Sequence, residues 1–282
     1  MKRIVPFQEV VEAVSRLCGD AAFKLPGDVL DSLRQCAAKE SRPLAKSFFD
    51  QYLENAEIAV NENMPLCQDT GFAVFFVEYG EEVQVDGEGI AAAINAGVRD
   101  GYAKYYLRKS IVEEPLFERK NTKDNTPAVI HFTPVPGDKI KIVLAPKGGG
   151  SENMSALKMM KPSDGRSAVV DFVVNSVKNA GGNPCPPVIV GVGIGGTFEK
   201  CAQIAKKALL RQVGTPNPDP RYAELEKELL EKINATGVGS QGLGGDITAL
   251  AVHVEAFPCH IASLPVAVNL NCHAARHAEV TL

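Results

Sequence analysis

No apolar run in this chain approaches the ~20 residues that a membrane-crossing helix needs, so no membrane span is expected. Nor is there an excess of basic charge. The formal net charge of -4 and the isoelectric point near 5.8 supply no general attraction toward nucleic acid or anionic lipid, which leaves a small molecule as the expected partner. No secretion signal is expected at the amino terminus, because Pro6, Gln8 and Glu9 interrupt any apolar core behind Lys2 and Arg3. Repeats, low-complexity tracts and long linkers are also missing, so residues 1–282 are read as one domain with 1–62 as a helical N-terminal subregion. What is present is ordinary for a globular protein: 45% hydrophobic and 23% charged residues over 282 positions. Seven cysteines, an odd number, point to a reducing compartment such as the cytoplasm, where thiols stay available.

Hydrophobic periodicity predicts a mixed α/β fold, a helical N-terminal segment followed by a mixed sheet. Val10, Val11, Val14 and Leu17, then Val29, Leu30, Leu33 and Ala37, repeat at helical spacing, and Ser41 stands where a third helix needs an N-cap. Cys18 and Cys36 fall near these stripes and read as core thiols. Phe72–Tyr79 reads as a strand, Ile90–Leu107 as a helix, and residues 128–135 and 139–145 as two strands joined by Pro136-Gly137-Asp138 in a hairpin. Further helices are expected at 167–179, 198–211 and 222–233, with strands at 188–192, 247–256 and 261–270. His131 and His253 lie in β-like runs and read as structural.

Three cysteines sit instead among turn-forming residues: Cys67 in Pro65-Leu66-Cys67-Gln68-Asp69-Thr70-Gly71, Cys185 in Asn183-Pro184-Cys185-Pro186-Pro187, and Cys272 in Asn271-Cys272-His273. Thiols in such loops are better placed to bind or react than core thiols, and three of them suit a metal with one coordination position left open. Their wide separation matches no compact zinc or ferredoxin spacing, so scattered loop thiols are the plain alternative. A rival is zinc, held by Cys259 or Cys272 with His273 and His277, which would share one face if a helix began there. Gly191-Val192-Gly193-Ile194-Gly195-Gly196 satisfies G-x-G-x-x-G, but no second strand ending in an acid follows about 20 residues later. The glycines are read as a tight strand-to-helix turn that lets backbone approach a ligand or cluster. Lys147-Gly148-Gly149-Gly150-Ser151 is no P-loop, since its Lys precedes the glycines, yet its N–H groups could hold a carboxylate.

Taken together, the Cys67 loop, Pro146-Lys147-Gly148-Gly149-Gly150-Ser151-Glu152-Asn153, the Cys185 loop, the run from Gly191 to Thr197 and Leu270-Asn271-Cys272-His273-Ala274-Ala275-Arg276 resemble the iron-sulfur hydro-lyases, the class I fumarases and L-tartrate dehydratases. The resemblance extends over nearly the whole chain and is to the α subunit, or the N-terminal domain of single-chain enzymes. It implies a [4Fe-4S] cluster on Cys67, Cys185 and Cys272, with a fourth iron free to bind substrate. It also implies that Gln68 and backbone near Gly149 meet a substrate carboxylate, that Arg108 pairs with it bidentately, that His260 lines the pocket and that Asp69 handles a proton.

The remaining contacts of the family, basic residues and a catalytic Thr, belong to a β region, and the chain ends soon after Cys272. A separate β subunit and a symmetric hetero-oligomer are therefore expected. The activity implied is reversible hydration of fumarate to L-malate, a step of the tricarboxylic acid cycle. Dehydration of L-tartrate to oxaloacetate is the alternative, and a zinc-binding or redox-sensing module without catalysis is the alternative of another class.

Overall fold

The computed structural model describes residues 2–282. In chain order the elements are β1 (Arg3–Val5), α1 (Phe7–Phe23), α2 (Gly27–Lys39), α3 (Pro43–Asn61), β2 (Phe72–Gly80), β3 (Val83–Val85), α4 (Ile90–Lys104), β4 (Val129–Val135) and β5 (Ile140–Lys147). They continue with α5 (Gly149–Glu152), β6 (Ala156–Met160), α6 (Gly165–Ala180), β7 (Val188–Gly195), α7 (Phe198–Ala208), α8 (Pro220–Asn234), β8 (Ala249–Phe257), β9 (Leu264–Asn271) and β10 (Ala278–Thr281). The mixed α/β class is as expected. Two compact units form, each discontinuous in sequence: the first holds the chain up to Leu25, Ala56–Gly149 and Arg276–Leu282, the second Pro26–Asn55 and Gly150–Ala275. Residues 1–62 carry the three expected helices, of which α1 falls in the first unit, α2 in the second and α3 in both.

In the first unit the sheet order is β10-β5-β2-β4, with β2 antiparallel to β5 and parallel to β4. The expected hairpin between β4 and β5 is therefore not made. β2 is the more thoroughly buried strand and takes the place between them, while the Pro136–Asp138 segment spans its end, where Gly137 and Lys139 carbonyls accept N–H groups of Glu82 and Gly80. Helices α1 and α4 pack against this sheet through Val10, Val14, Leu17, Ile94 and Val98. They approach closely because Gly97 and Gly101 face them: a Cβ there would stand 2.6 Å from Val14 Cβ and 2.8 Å from Cys18 Cβ. Cys18 is a core thiol, its pKa pushed up to about 12 by burial and then by Asp100.

In the second unit the order is β6-β9-β7-β8, with β7 parallel to β8 and antiparallel to β9. Alternation along the strands separates two faces. Val188, Val190 and Val192 of β7 join Val266, Val268 and Leu270 of β9 in a core with α6 and α8, whereas Gly191 and Gly193 face α7. A Cβ at Gly191 would lie 2.1 Å from the Ala205 carbonyl oxygen, and one at Gly193 2.0 Å from that of Cys201. Gly191 and Gly193 of the glycine motif thus let a helix close against the sheet. Ser41 is no N-cap either. α3 begins at Pro43, and the Ser41 hydroxyl donates to Asp246 Oδ2 at 2.5 Å. Residues 272–277 form a turn and coil leading into β10, so His273 and His277 do not share a helical face.

Candidate active site

The first unit carries Cys67, Gln68, Asp69, Arg108 and Gly149. The loop leaving α3 is anchored by Leu66, a buried side chain whose N–H donates to the Ala22 carbonyl at 2.9 Å. Cys67 Sγ lies 3.2 Å from Gln68 Oε1, and the Gln68 side chain faces solvent. Asp69 is engaged at both carboxylate oxygens: Oδ1 accepts the Gly71 N–H and Oδ2 the Gly149 N–H, each at 2.9 Å. Its carbonyl accepts from Arg276 Nη2 at 2.6 Å.

Gly71 closes the loop with φ of +74°, at a point where a Cβ would meet the Lys147 backbone at 2.7 Å. Its carbonyl lies 3.0 Å from Tyr102 Oη and accepts from Asn125 Nδ2 at 3.3 Å. Asn125 Oδ1 takes the Ser110 N–H at 2.7 Å, and Thr70 Oγ1 donates to the Arg108 carbonyl at 3.1 Å. Side-chain bonds therefore hold the backbone from the Arg108 carbonyl to the Ser110 N–H to the Cys67 loop, and the Arg108 side chain itself is exposed. Of the glycine run, the Gly149 N–H is taken by Asp69 of the same unit.

The second unit carries Cys185, Cys272 and His260. The register of β7 on β9 pairs Ile189 with Asn271, so the loop entering β7 and the residue leaving β9 stand at one end of the sheet. That end presents Cys185 and Cys272. Cys185 is exposed and has φ of +52°, unfavourable for an L residue by roughly 1–3 kcal/mol. Around it the Cys185 carbonyl accepts from the His273 N–H at 3.2 Å and from His273 Nδ1 at 3.0 Å. The Pro186 carbonyl accepts from the Gln241 N–H at 2.9 Å and from Tyr52 Oη at 3.3 Å. At about 0.5–1.5 kcal/mol each, four such bonds outweigh the strain.

The Tyr52 ring stacks on His273 with centroids 4.0 Å apart, and Gln241 Nε2 donates to Tyr52 Oη at 2.8 Å. Burial pushes the Tyr52 phenol up to about 12; hydrogen bonds from Gln241 and Ser240 oppose the shift, while Cys185 and Cys272 add to it.

His260 lies elsewhere. It is exposed in the loop between β8 and β9, and β9 runs from Leu264 to Asn271, so about 23 Å of strand at ~3.3 Å per residue separates that loop from the end bearing Cys272. Cys259 shares the His260 loop, its thiol directed to the Ser263 carbonyl at 3.3 Å. Among the described residues no three His, Cys, Asp or Glu side chains gather as a site for a single metal ion. Tyr52, Asn125, Gln241 and Arg276 were not singled out by sequence. Asn125 and Gln241 carry no local pattern, Tyr52 lies in the sequence of the third helix, and Arg276 enters only as the last residue of the Leu270–Arg276 motif.

The donor chemistry suits an iron-sulfur cluster: no cysteine is tied up in a disulfide, and Cys67, Cys185 and Cys272 are half-buried or exposed residues on hydrogen-bonded loops. Residues 11–281 match the family model described as fumarate hydratase (Fumerase). The chain is 44% identical over 276 residues to a protein of Methanocaldococcus jannaschii named "Putative L(+)-tartrate dehydratase subunit alpha", with 96% of each chain covered. It is 34% identical over 283 residues to the L(+)-tartrate dehydratase subunit alpha of Escherichia coli strain K12, and equally to that of Shigella sonnei, covering 97% of this chain and 92% of each relative. With the family model matching residues 11–281 and the relatives aligned nearly end to end, this chain belongs to the fumarate hydratase (Fumerase) family of hydro-lyases.

Proposed function

We propose that this chain is the cluster-bearing α subunit of an iron-sulfur hydro-lyase that adds water to, or removes it from, a four-carbon dicarboxylate. The observation that carries the reading is the pair of loops at one sheet end that present Cys185 and Cys272, together with a third hydrogen-bonded loop presenting Cys67. These three thiolates would hold a [4Fe-4S] cluster. When bound, such a cluster supplies a Lewis acid that polarises the carbon–oxygen bond to be broken.

The chain's own residues then bind and orient. Arg108 offers an exposed, planar guanidinium suited to bidentate contact with a carboxylate, and Gln68, next to Cys67, offers an amide. Asp69 is proposed to position Gly149 against the Cys67 loop, because both its oxygens already accept backbone N–H groups. Gly149 thereby contributes loop geometry to the carboxylate site. His260, at the far end of its sheet, takes no part in the half-site that Cys185 and Cys272 form. The group that removes the proton is proposed to come from a separate β subunit, and the complex to work in the cytoplasm as a symmetric hetero-oligomer.

Fumarate and L-malate are the proposed substrate pair, supported by the description of the family model. L(+)-tartrate, giving oxaloacetate, is the second reading, favoured by the names of the relatives. Anaerobic co-production with the β subunit, followed by parallel assays on fumarate, L-malate and L(+)-tartrate, tests both. Fumarate hydration at least tenfold above tartrate dehydration supports the first reading; the reverse ratio supports the second. Absence of both activities from a complex that holds iron and sulfide would sink the proposal.

A further inference from the structure

Cys185 and Cys272 are joined through one carbonyl group. His273 directly follows Cys272, and both its backbone N–H and its ring Nδ1 reach the Cys185 oxygen, at 3.2 and 3.0 Å. The Cys185 oxygen can only accept and lies nearer Nδ1, at 3.0 Å, than the Gln241 Nε2 donor at 3.5 Å, which assigns the ring proton to Nδ1. Both lone pairs of that oxygen are used. The ring cannot swing away, because Tyr52 lies flat against it at 4.0 Å and 18° between planes. Tyr52 is fixed in turn at its hydroxyl, which accepts from Gln241 Nε2 at 2.8 Å and donates to the Pro186 carbonyl at 3.3 Å. Gln241 closes the arrangement by donating its N–H to the same Pro186 oxygen at 2.9 Å.

Three residues from a helix, a glycine-rich loop and the end of a strand thus converge on the two carbonyls of Cys185-Pro186. The Gln241 loop is itself fastened from behind: the buried carboxylate of Glu40 accepts the N–H groups of Asp246 at 2.9 Å and Ile247 at 3.2 Å. A fold needing only stability at this point would be served as well by apolar packing. Directional bonds to the backbone beside a thiol instead fix where that thiol points.

We propose that His273, Tyr52 and Gln241 form a positioning brace that locks the Cys185 and Cys272 sulfurs into one relative arrangement and governs how firmly an iron-sulfur cluster is retained. The inference rests on the reading of these cysteines as cluster ligands. The brace acts on loop geometry, through His273 as the shared strut.

The test uses the full chain with its β subunit, reconstituted anaerobically with iron and sulfide, in wild-type, Tyr52→Phe, Tyr52→Leu and His273→Ala forms. Cluster loss to a chelator is followed by visible absorbance, and the cluster's electron paramagnetic resonance signal is recorded. His273→Ala and Tyr52→Leu are expected to lose the cluster about 10-fold faster or more, with an altered resonance signal. Tyr52→Phe keeps the stack but loses both hydroxyl bonds, so its retention should fall between the wild type and Tyr52→Leu. Equal retention by all four forms overturns the proposal.

A second measurement does not depend on the cluster: nitrogen-15 resonance of the metal-free chain should show His273 protonated at Nδ1 in the wild type and a mixture of tautomers in Tyr52→Leu. A wild-type mixture overturns the brace. Failure of the wild type to take up iron and sulfide would sink the cluster reading instead, and the nitrogen resonance would then decide the brace by itself.

Discussion

The side chain of Asp69 and the backbone of Gly149 meet across 80 residues of sequence, Oδ2 accepting the glycine N–H at 2.9 Å. With Gly71 on the other oxygen, the carboxylate ties the Cys67 loop to the glycine run. An amide in its place can accept at one oxygen only. Asp69→Asn should therefore lower stability by about 1–3 kcal/mol, the cost of an unmet buried donor, and weaken cluster retention and turnover together. Denaturant melts alongside steady-state rates check this. An unchanged melting midpoint with turnover down by about 10²-fold would assign Asp69 to proton transfer instead.

Arg108→Lys keeps the charge and loses the planar fork. In the assembled enzyme the Michaelis constant for the dicarboxylate should rise by about 10-fold or more, while the cluster spectrum stays unchanged. Because the Arg108 side chain is exposed, folding should be indifferent to the change. An unaltered Michaelis constant would remove Arg108 from the carboxylate site.

His253 supplies a pH dependence unrelated to the candidate site. Its pKa is held down to about 4 from 6.5, first by burial and then by the Arg211 guanidinium, with Glu226 and Asp28 opposing; Nδ1 donates to the Ala208 carbonyl at 3.1 Å. The unfolded chain binds this proton below pH 6.5 and the folded chain does not, so stability is full above about 6.5 and falls as pH drops toward about 4. The whole effect amounts to about 3 kcal/mol at most. His253→Gln should flatten that part of the melting-temperature profile. A profile as steep as the wild type's would place the transition on other groups.

The cysteines should divide by reactivity. In metal-free protein, exposed Cys185 and Cys259 should alkylate first, whereas Cys18, buried and with its pKa raised to about 12, should resist until unfolding. Reconstitution with iron and sulfide should then protect Cys185 but leave Cys259 reactive. Mass mapping of the labelled residues reads both halves. Equal protection of Cys259 would bring it into the ligand set.

Gly193→Ala separates packing from ligand binding in the glycine run. The new Cβ would press on the Cys201 carbonyl from 2.0 Å, so a loss of about 1–3 kcal/mol is expected in metal-free and reconstituted protein alike. A stability loss confined to the reconstituted form would return the run to a role beside the cluster.

Periodicity along the chain was enough to locate most helices and strands, since apolar spacing reports which face is buried wherever the chain ends up. Turn residues around Cys67, Cys185 and Cys272 likewise marked loops, because Pro, Gly and Asn restrict backbone angles locally. The short strands β1, β3, β6 and β10 left no such trace: three to five residues are too few for a pattern, and they form because a partner edge is available.

Strand order was equally hidden. Nothing near Pro136-Gly137-Asp138 announces that β2 lies between the strands it links, since pairing is settled by which strand can be buried on both faces. The same holds at the candidate site. Residue types and local turns nominated the thiols, but the register of Ile189 on Asn271 brought Cys185 and Cys272 to one sheet end and left His260 at the other. Tyr52 joined them only by tertiary contact, because a stack and a hydrogen bond between residues distant in sequence depend on where the chain folds back and leave no periodic signature in its order.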